Sequence, residues 1–244
     1  MQRRENKMKR VEFIFPEFTN IYGESYNLEY LRKCNKEIRI IETHPGDTPK
    51  FITGEADMVY MGCMTEDKQE QAIELLMPYR NFIIHAIQSG IIFLVTGNAL
   101  EIFGTRIIGD EVMSDNKVDI QGLCIFDYKS VRRMKEPRHN SQYIGNFNGM
   151  LMLGHRSQFS FTYGDFENSF IKIYRGIGMN PDTDKEGIHV KNFFGTYSLG
   201  PYLIMNPNFT KYLLRLMGLK DDLLFEKEVQ EAYQYRLEEL RRTI

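Results

Sequence analysis

A length of 244 residues suits one α/β domain of about 200 to 250 residues, and the composition is that of a globular protein. Hydrophobic residues make up 42% of the chain and charged residues 26%, which excludes the composition of a disordered chain. Lys plus Arg (31) and Asp plus Glu (33) nearly balance, so the basic surface of a nucleic-acid-binding protein is not expected.

The cysteines and the N-terminal residues predict where the protein works. Cys34, Cys63 and Cys124 show no CxxC or Cys/His spacing, so we expect reduced thiols, no metal site and no cofactor. The first eight residues are charged and lack the apolar run of a signal peptide. No segment approaches the roughly 20 apolar residues that span a bilayer. We therefore expect a cytoplasmic protein without membrane insertion.

The first half of the chain alternates predicted strands with predicted helices. Apolar runs predict strands at 11–15, 38–41, 57–61 and 91–96. Helical spacing of apolar residues predicts helices at 27–34, 66–79 and 81–89. This alternation predicts right-handed crossovers and a mostly parallel sheet flanked by helices.

The second half is rich in short β-like runs broken by Gly, Asn and Asp, which predict added antiparallel strands. These runs are 122–126, 141–145, 150–153, 159–163, 170–174 and 193–197. The basic run 129–135 is interpreted as a solvated loop, and contact with an anionic substrate or partner is the alternative. Pro207 opens a predicted helix that Gly218 ends. We expect an α/β domain over 9–218 and a helical appendage over 219–244.

The appendage carries one apolar stripe on an otherwise charged helix. The stripe consists of Phe225, Val229, Tyr233, Leu237 and Leu240. Packing on the protein's own domain is the favoured interpretation. The alternative is a contact surface for a partner subunit.

The most informative stretch is 91–104, where a buried strand runs into a small-residue turn and an Ala/Leu/Glu helix start. This pattern is typical of a nucleophile elbow, in which a strained turn presents one reactive side chain beside a helix N-terminus. The residue at the apex is Gly97. The sequence therefore predicts the shape of an active site without its nucleophile.

Several stretches together resemble the class I glutamine amidotransferases, in their cobyric-acid-synthase-like branch. The likeness is greatest to the glutaminase subunits of lipid II isoglutaminyl synthases, which act in cell-wall peptidoglycan synthesis. It rests on Asn20-Ile-Tyr-Gly23, on Val59-Tyr-Met-Gly62 through Gln69, and on a C-terminal signature. The signature comprises Gly176-Ile-Gly-Met-Asn180, Glu186-Gly187, Lys191-Asn192, Gly195-Thr-Tyr197, Gly200-Pro201 and Asn206-Pro207. The resemblance implies a flavodoxin-like core.

The resemblance also implies that the catalytic pair is lost. Setting the family elbow Cys-Gly-Gly-Tyr-Gln-Leu-Leu-Gly on this chain, with its last glycine at Gly104, puts the cysteine at Gly97. The family's Thr-Tyr-Leu-His-Gly-Pro reads Thr-Tyr-Ser-Leu-Gly-Pro at 196–201, so Leu199 stands at the histidine position. The implied glutamine cleft consists of Gly62, Cys63, Gly97, Asn98, Ser198 and Leu199.

Glutamine hydrolysis by this route requires a thiolate and an imidazole that activates it. Losing one such group costs roughly 10⁶-fold in rate in a well-studied protease. Cys63 follows the glycine turn of the third predicted strand and is the candidate substitute nucleophile. No histidine of the family pattern is left to activate it, which favours an inert thiol.

The leading hypothesis is a degenerate amidotransferase-like protein that serves as a non-catalytic binding or scaffolding subunit. By resemblance, its partner would be a Mur-ligase-like ATP-dependent subunit. One alternative is an active subunit in peptidoglycan or cobalamin-type amidation that uses Cys63. The other alternative is a sensor that binds a small molecule in the former glutamine cleft.

Overall fold

The computed structural model describes residues 8–110 and 117–244. Its strands are β1 (Lys9–Ile14), β2 (Ile38–Thr43), β3 (Met58–Met61), β4 (Ile92–Thr96), β5 (Arg106–Asp110), β6 (Lys117–Gln121), β7 (Tyr128–Arg133), β8 (His139–Phe147), β9 (Met150–Gln158), β10 (Ser160–Gly164), β11 (Ile171–Arg175), β12 (Lys185–Glu186), β13 (Ile188–Val190) and β14 (Phe193–Thr196). Its α-helices are α1 (Ser25–Cys34), α2 (Glu66–Leu76), α3 (Arg80–Ser89), α4 (Tyr202–Met205), α5 (Pro207–Leu216) and α6 (Glu226–Thr243). Three 3₁₀ helices lie at Lys50–Thr53, Met77–Tyr79 and Gly97–Phe103.

The central sheet has the strand order β13-β14-β4-β3-β1-β2. Every neighbouring pair is parallel except β13 with β14. The predicted α/β architecture is therefore confirmed. Because β3, β4 and β14 are adjacent and parallel, their carboxyl ends meet at one edge of the sheet, where ligand sites of open α/β sheets form. The loops that follow these three strands contain the implied glutamine cleft.

Two further sheets carry the second half of the chain, in the orders β10-β7-β5-β6 and β12-β11-β8-β9. Their pairs are antiparallel apart from β5 with β7, which confirms the predicted addition of antiparallel strands. The strand predicted at 122–126 is wrong. The backbone N–H groups of Leu123 and Cys124 donate instead to the carbonyls of Ile102 and Gly104. The segment thus satisfies carbonyl groups at the end of the third 3₁₀ helix.

The basic run 129–135 is not a solvated loop, because most of it forms β7. Alternation along a strand points every second side chain the same way, and here Ser130 and Arg132 point inward. Arg132 is buried, with only 4% of its surface exposed. Charge alone suggested solvation, whereas the strand period puts this arginine in the interior.

The apolar core lies on both faces of the central sheet. Phe93 and Val95 of β4 pack in one cluster, together with α2 and α3. Ile92 and Leu94 pack in the other, together with α1 and α5. A strand covered on both faces is apolar at every position, which explains the continuous run before the elbow.

The C-terminal helix α6 packs its stripe on the body of the protein. Val229, Tyr233, Leu237 and Leu240 are all buried, and the last three form a cluster with Ile144 and Leu153 of β8 and β9. The favoured interpretation is confirmed for these four residues. Phe225 differs, since 68% of its surface is exposed.

In the described part of the chain, no helix has the length and apolar character that crossing a membrane requires.

Candidate functional site

The turn after β4 has the backbone conformation expected of an elbow. Gly97 has φ +64°, in the left-handed region, and its N–H donates to the carbonyl of Ser198 at 3.2 Å. A non-glycine residue held in such a conformation costs on the order of 1 to 3 kcal/mol, and glycine removes this cost. The helix that follows is a 3₁₀ helix rather than the expected α-helix. The apex is therefore present, but it carries no side chain.

The space that a side chain at the apex would occupy is already filled. A Cβ atom added to Gly97 would lie 2.6 Å from Cys63 Cβ and 2.8 Å from Leu199 Cδ2. Non-bonded carbon atoms in proteins pack at about 3.5 to 4.0 Å. The structure thus brings Gly97, Cys63 and Leu199 together as the sequence implied. Their contact is an apolar plug and not a reactive pair.

Cys63 lies in this plug as a buried thiol, with 6% of its surface exposed. Burial, together with the nearby carboxylates of Glu24 and Glu101, raises the pKa of Cys63 to about 12. Only the thiolate is nucleophilic, so the raised pKa disfavours nucleophilic attack by this thiol at neutral pH. The described lining of the adjacent cavity contains no histidine that could activate it.

Polar groups near the elbow are bonded within the protein. The Tyr22 N–H donates to the buried carboxyl of Glu24 at 2.7 Å, and burial raises the pKa of that carboxyl. The Asn98 N–H faces the Cys63 sulfur. The Asn98 side chain is held by Met64, through a 3.0 Å bond from Met64 N and a 2.8 Å bond to Met64 O. The Met64 N–H, a donor that could serve an oxyanion hole, is thus engaged internally.

A small cavity of about 150 Å³ opens beside the plug. Four of the six predicted cleft residues line it, namely Cys63, Gly97, Asn98 and Leu199. Gly62 and Ser198 do not. The Ser198 hydroxyl turns away from the cavity and shares a 2.7 Å hydrogen bond with the Tyr143 hydroxyl.

The cavity is also lined by Gln69, Glu101 and Tyr197, which belong to a buried polar network that sequence reasoning missed. Glu101 accepts hydrogen bonds from Tyr197 Oη at 3.0 Å and from Gln69 Nε2 at 3.1 Å. Gln69 Oε1 in turn accepts from Arg132 Nη2 at 2.7 Å. Burial raises the pKa of Glu101, and the positive charge of Arg132 opposes that rise. A polar residue inside an otherwise apolar stretch, as at Glu101, is the sequence signal that could have revealed it.

A second buried network supports the loop that ends at Leu199. Glu186 accepts from Thr196 Oγ1 and, at 2.8 Å, from Tyr197 N. The carboxyl group is fully buried, and desolvation raises its pKa while the charge of Arg156 lowers it. Arg156 donates to the carbonyls of Gly178 and Ile177. The glycine-rich segment that precedes Asn180 is therefore a turn held by a buried arginine. Among the described residues, no group of three or more His, Cys, Asp or Glu side chains is placed to hold a metal ion.

The class of protein follows from comparison with known families. Residues 10–206 match the CobB/CobQ-like glutamine amidotransferase domain, and the chain belongs to that family. Two solved structures share the fold at 11% sequence identity. One is a glutamine amidotransferase with a TM-score of 0.57, covering 86% of this chain and 100% of that chain. The other is a glutamine amidotransferase from Thermotoga maritima with a TM-score of 0.50, covering 93% of both chains.

Two characterised relatives are more similar in sequence. The lipid II isoglutaminyl synthase (glutamine-hydrolyzing) subunit GatD of Staphylococcus aureus is 28% identical over 219 residues, covering 86% of this chain and 85% of its own. The subunit of the same name from Streptococcus pneumoniae is 23% identical over 229 residues, covering 86% of this chain and 80% of its own.

Proposed function

We propose that this chain is a non-catalytic, amidotransferase-like subunit that binds or scaffolds an amidating enzyme of cell-wall synthesis. The observation that carries the proposal is the filled apex. Cys63 Cβ and Leu199 Cδ2 occupy the position where a nucleophilic side chain at residue 97 would begin. A protein that performed the family's chemistry would need that position open and an imidazole beside it.

The alternative of an active subunit has little physical support. Its substitute nucleophile, Cys63, has a pKa of about 12 and lies in an apolar contact. The backbone N–H of Asn98 faces the same sulfur. Lowering the pKa of this thiol would require a positive charge or an imidazole beside it. The described cavity lining contains no histidine, and its arginine, Arg138, donates to Tyr22 Oη.

The proposed partner is a Mur-ligase-like ATP-dependent subunit. This assignment rests on the relatives, which are named as subunits of glutamine-hydrolysing lipid II isoglutaminyl synthases. A chain that retains the fold but lacks the catalytic pair would not supply ammonia to the partner subunit. It would contribute a binding surface instead. Such a complex would act in the cytoplasm, where the precursors of peptidoglycan are made.

The test of inactivity is release of glutamate from glutamine by the purified full-length protein, alone and with a co-expressed ligase-like subunit. We expect release at the background rate in both cases. Cys63→Ser is the matched variant. Turnover that Cys63→Ser abolishes would overturn the proposal and establish the active alternative. Co-purification of the ligase-like subunit with the wild-type chain tests the scaffolding role.

A further inference from the structure

An apolar groove lies between α4 and the C-terminal helix α6. Its volume is about 990 Å³, and Pro201, Ile204 and Val229 are among the residues that line it. A second groove of about 520 Å³ lies beside α1 and shares Pro201, Ile204 and Phe225 with the first. The two grooves therefore form one continuous apolar surface, with Phe225 between them.

The rim of this surface exposes large apolar side chains. Tyr22 is 39% exposed, Ile204 38%, Phe225 68% and Tyr26 69%. Monomeric proteins rarely leave a large contiguous apolar surface in water, and such a patch commonly marks an interaction site. The surface therefore has the character of an interface.

One face of α6 borders the first groove and carries its charges. Glu228, Ala232 and Arg236 line this groove at intervals of four residues, so they lie on one side of the helix. The histidine of the lining is His155, and burial together with the charge of Arg236 lowers its pKa. At neutral pH the groove thus has an acid one turn before Ala232 and a base one turn after it.

This order of charges is complementary to itself. When two copies of α6 cross antiparallel at Ala232 about a two-fold axis, Glu228 of each copy faces Arg236 of the other. The small side chain of Ala232 at the crossing permits close approach, since the distance between helix axes depends on the side chains at the contact. Glu228 and Arg236 cannot pair within one helix, because eight residues span about 12 Å.

Both charged groups are accessible for such pairs. Glu228 is exposed and has no ion-pair partner within residues 8–110 and 117–244. Arg236 pairs with Glu239 of its own helix and keeps 33% of its side-chain surface exposed. A guanidinium group has five N–H donors, so it can bind a second carboxylate.

We propose that this face of α6 and the adjoining apolar surface form a two-fold interface between two copies of this chain, in which Glu228 and Arg236 pair reciprocally and Phe225 is covered. The proposal goes beyond the proposed scaffolding function and does not depend on it. The charges select a second copy over a different protein, because their order on α6 is its own complement.

The experiment measures the mass of the purified full-length protein by sedimentation velocity over a series of concentrations. The wild type should form a dimer, with twice the 28.8 kDa of one chain. Arg236→Glu brings a third carboxylate to Glu228 and Glu239, so it should raise the dissociation constant of the dimer at least about tenfold. Adding Glu228→Arg to this variant puts opposite charges together again, and the dimer should return.

Lys227→Glu is the matched control, because it makes the same change of charge on α6 at a side chain that is 82% exposed and lines neither groove. Its dimer should equal that of the wild type. Return of the dimer in the double variant also shows that Arg236→Glu acts through charge and not through misfolding.

Three results would overturn the interface. They are a wild type that is monomeric at every concentration, an Arg236→Glu variant that dimerises as tightly as the wild type, and a double variant that stays monomeric. A monomeric wild type that captures a ligase-like subunit, and loses it on Arg236→Glu, would assign the groove to that different protein. In that case the scaffolding function stands and only the two-fold interface fails.

Discussion

The two sides of the elbow differ in how their buried groups are satisfied. In front, Gly97, Cys63 and Leu199 meet in an apolar plug where the family's catalytic pair would stand. Behind, Glu101 and Gln69 lie in a buried network of hydrogen bonds with Tyr197 and Arg132. The carbon atoms of Cys63 and Leu199 that fill the apex position need no hydrogen-bond partner. Deleting one member of the network would leave the others buried without partners, so the two sides tolerate change very differently.

The largest expected contrast is in the reactivity of Cys63. With a pKa of about 12, its thiolate fraction at pH 8 is about 10³-fold smaller than that of a free cysteine. Alkylation by iodoacetamide at pH 8, followed by peptide mass spectrometry, should be at least about 10³-fold slower for Cys63 in the folded chain than in urea. Equal rates would show that the plug is open.

The same pKa predicts a loss of stability at alkaline pH. The folded-state pKa of Cys63 lies above that of the unfolded thiol, so its contribution is fully present below about pH 8.5. As the pH rises from there toward 12, the unfolded chain loses its proton first, and the free energy of unfolding decreases. Cys63→Ala should reduce this decrease in urea titrations at pH 8 and pH 10.

The network behind the elbow should be the more sensitive side to truncation. Arg132→Met removes the donor to Gln69 and the positive charge that compensates Glu101. We expect the free energy of unfolding to fall by about 3 to 5 kcal/mol, because a buried charge loses its compensation. Urea unfolding of the wild type and the variant measures this change in the free energy of unfolding.

Arg133→Met is the control for this variant. The guanidinium of Arg133 is exposed and pairs with Glu136 at the surface. The substitution should therefore lower the free energy of unfolding by no more than about 1 kcal/mol. Equal costs for the two arginines would contradict the distinction between network and surface.

Adding a side chain to the plug should have a smaller effect. Gly97→Cys brings a Cβ atom into overlap with Cys63 and adds left-handed strain, so we expect a loss of about 1 to 3 kcal/mol. Cys63→Gly removes the overlapping Cβ and should recover part of that loss in the double variant. A double-mutant cycle of unfolding free energies with no coupling would argue against the contact.

The smallest expected effect is on activity. In the Gly97→Cys, Leu199→His variant the catalytic pair is restored in name, but Cys63 still occupies the nucleophile's place and the Asn98 amide remains engaged. Glutamate release should therefore stay near background. Robust turnover would show that the surrounding cleft is intact and that only two side chains separate this chain from an active glutaminase.

The sequence by itself determined the architecture and the glycine at the apex of the elbow. Apolar periodicity depends on local geometry, so it located the strands of the parallel sheet and the stripe of α6 that packs on the body of the protein. The elbow's strand, small-residue turn and apex at Gly97 were equally evident, since a left-handed turn favours glycine.

Only the tertiary structure decided what fills the cleft and what supports it. Cys63 and Leu199 are 136 positions apart, and their contact over Gly97 follows from the adjacency of β3, β4 and β14. The sequence predicted that Arg132 belongs to a solvated basic run. In the structure, β7 pairs with β5 and β10, and Arg132 points toward Gln69. Contacts between residues far apart in the chain depend on strand order and register, and local residue patterns do not encode either.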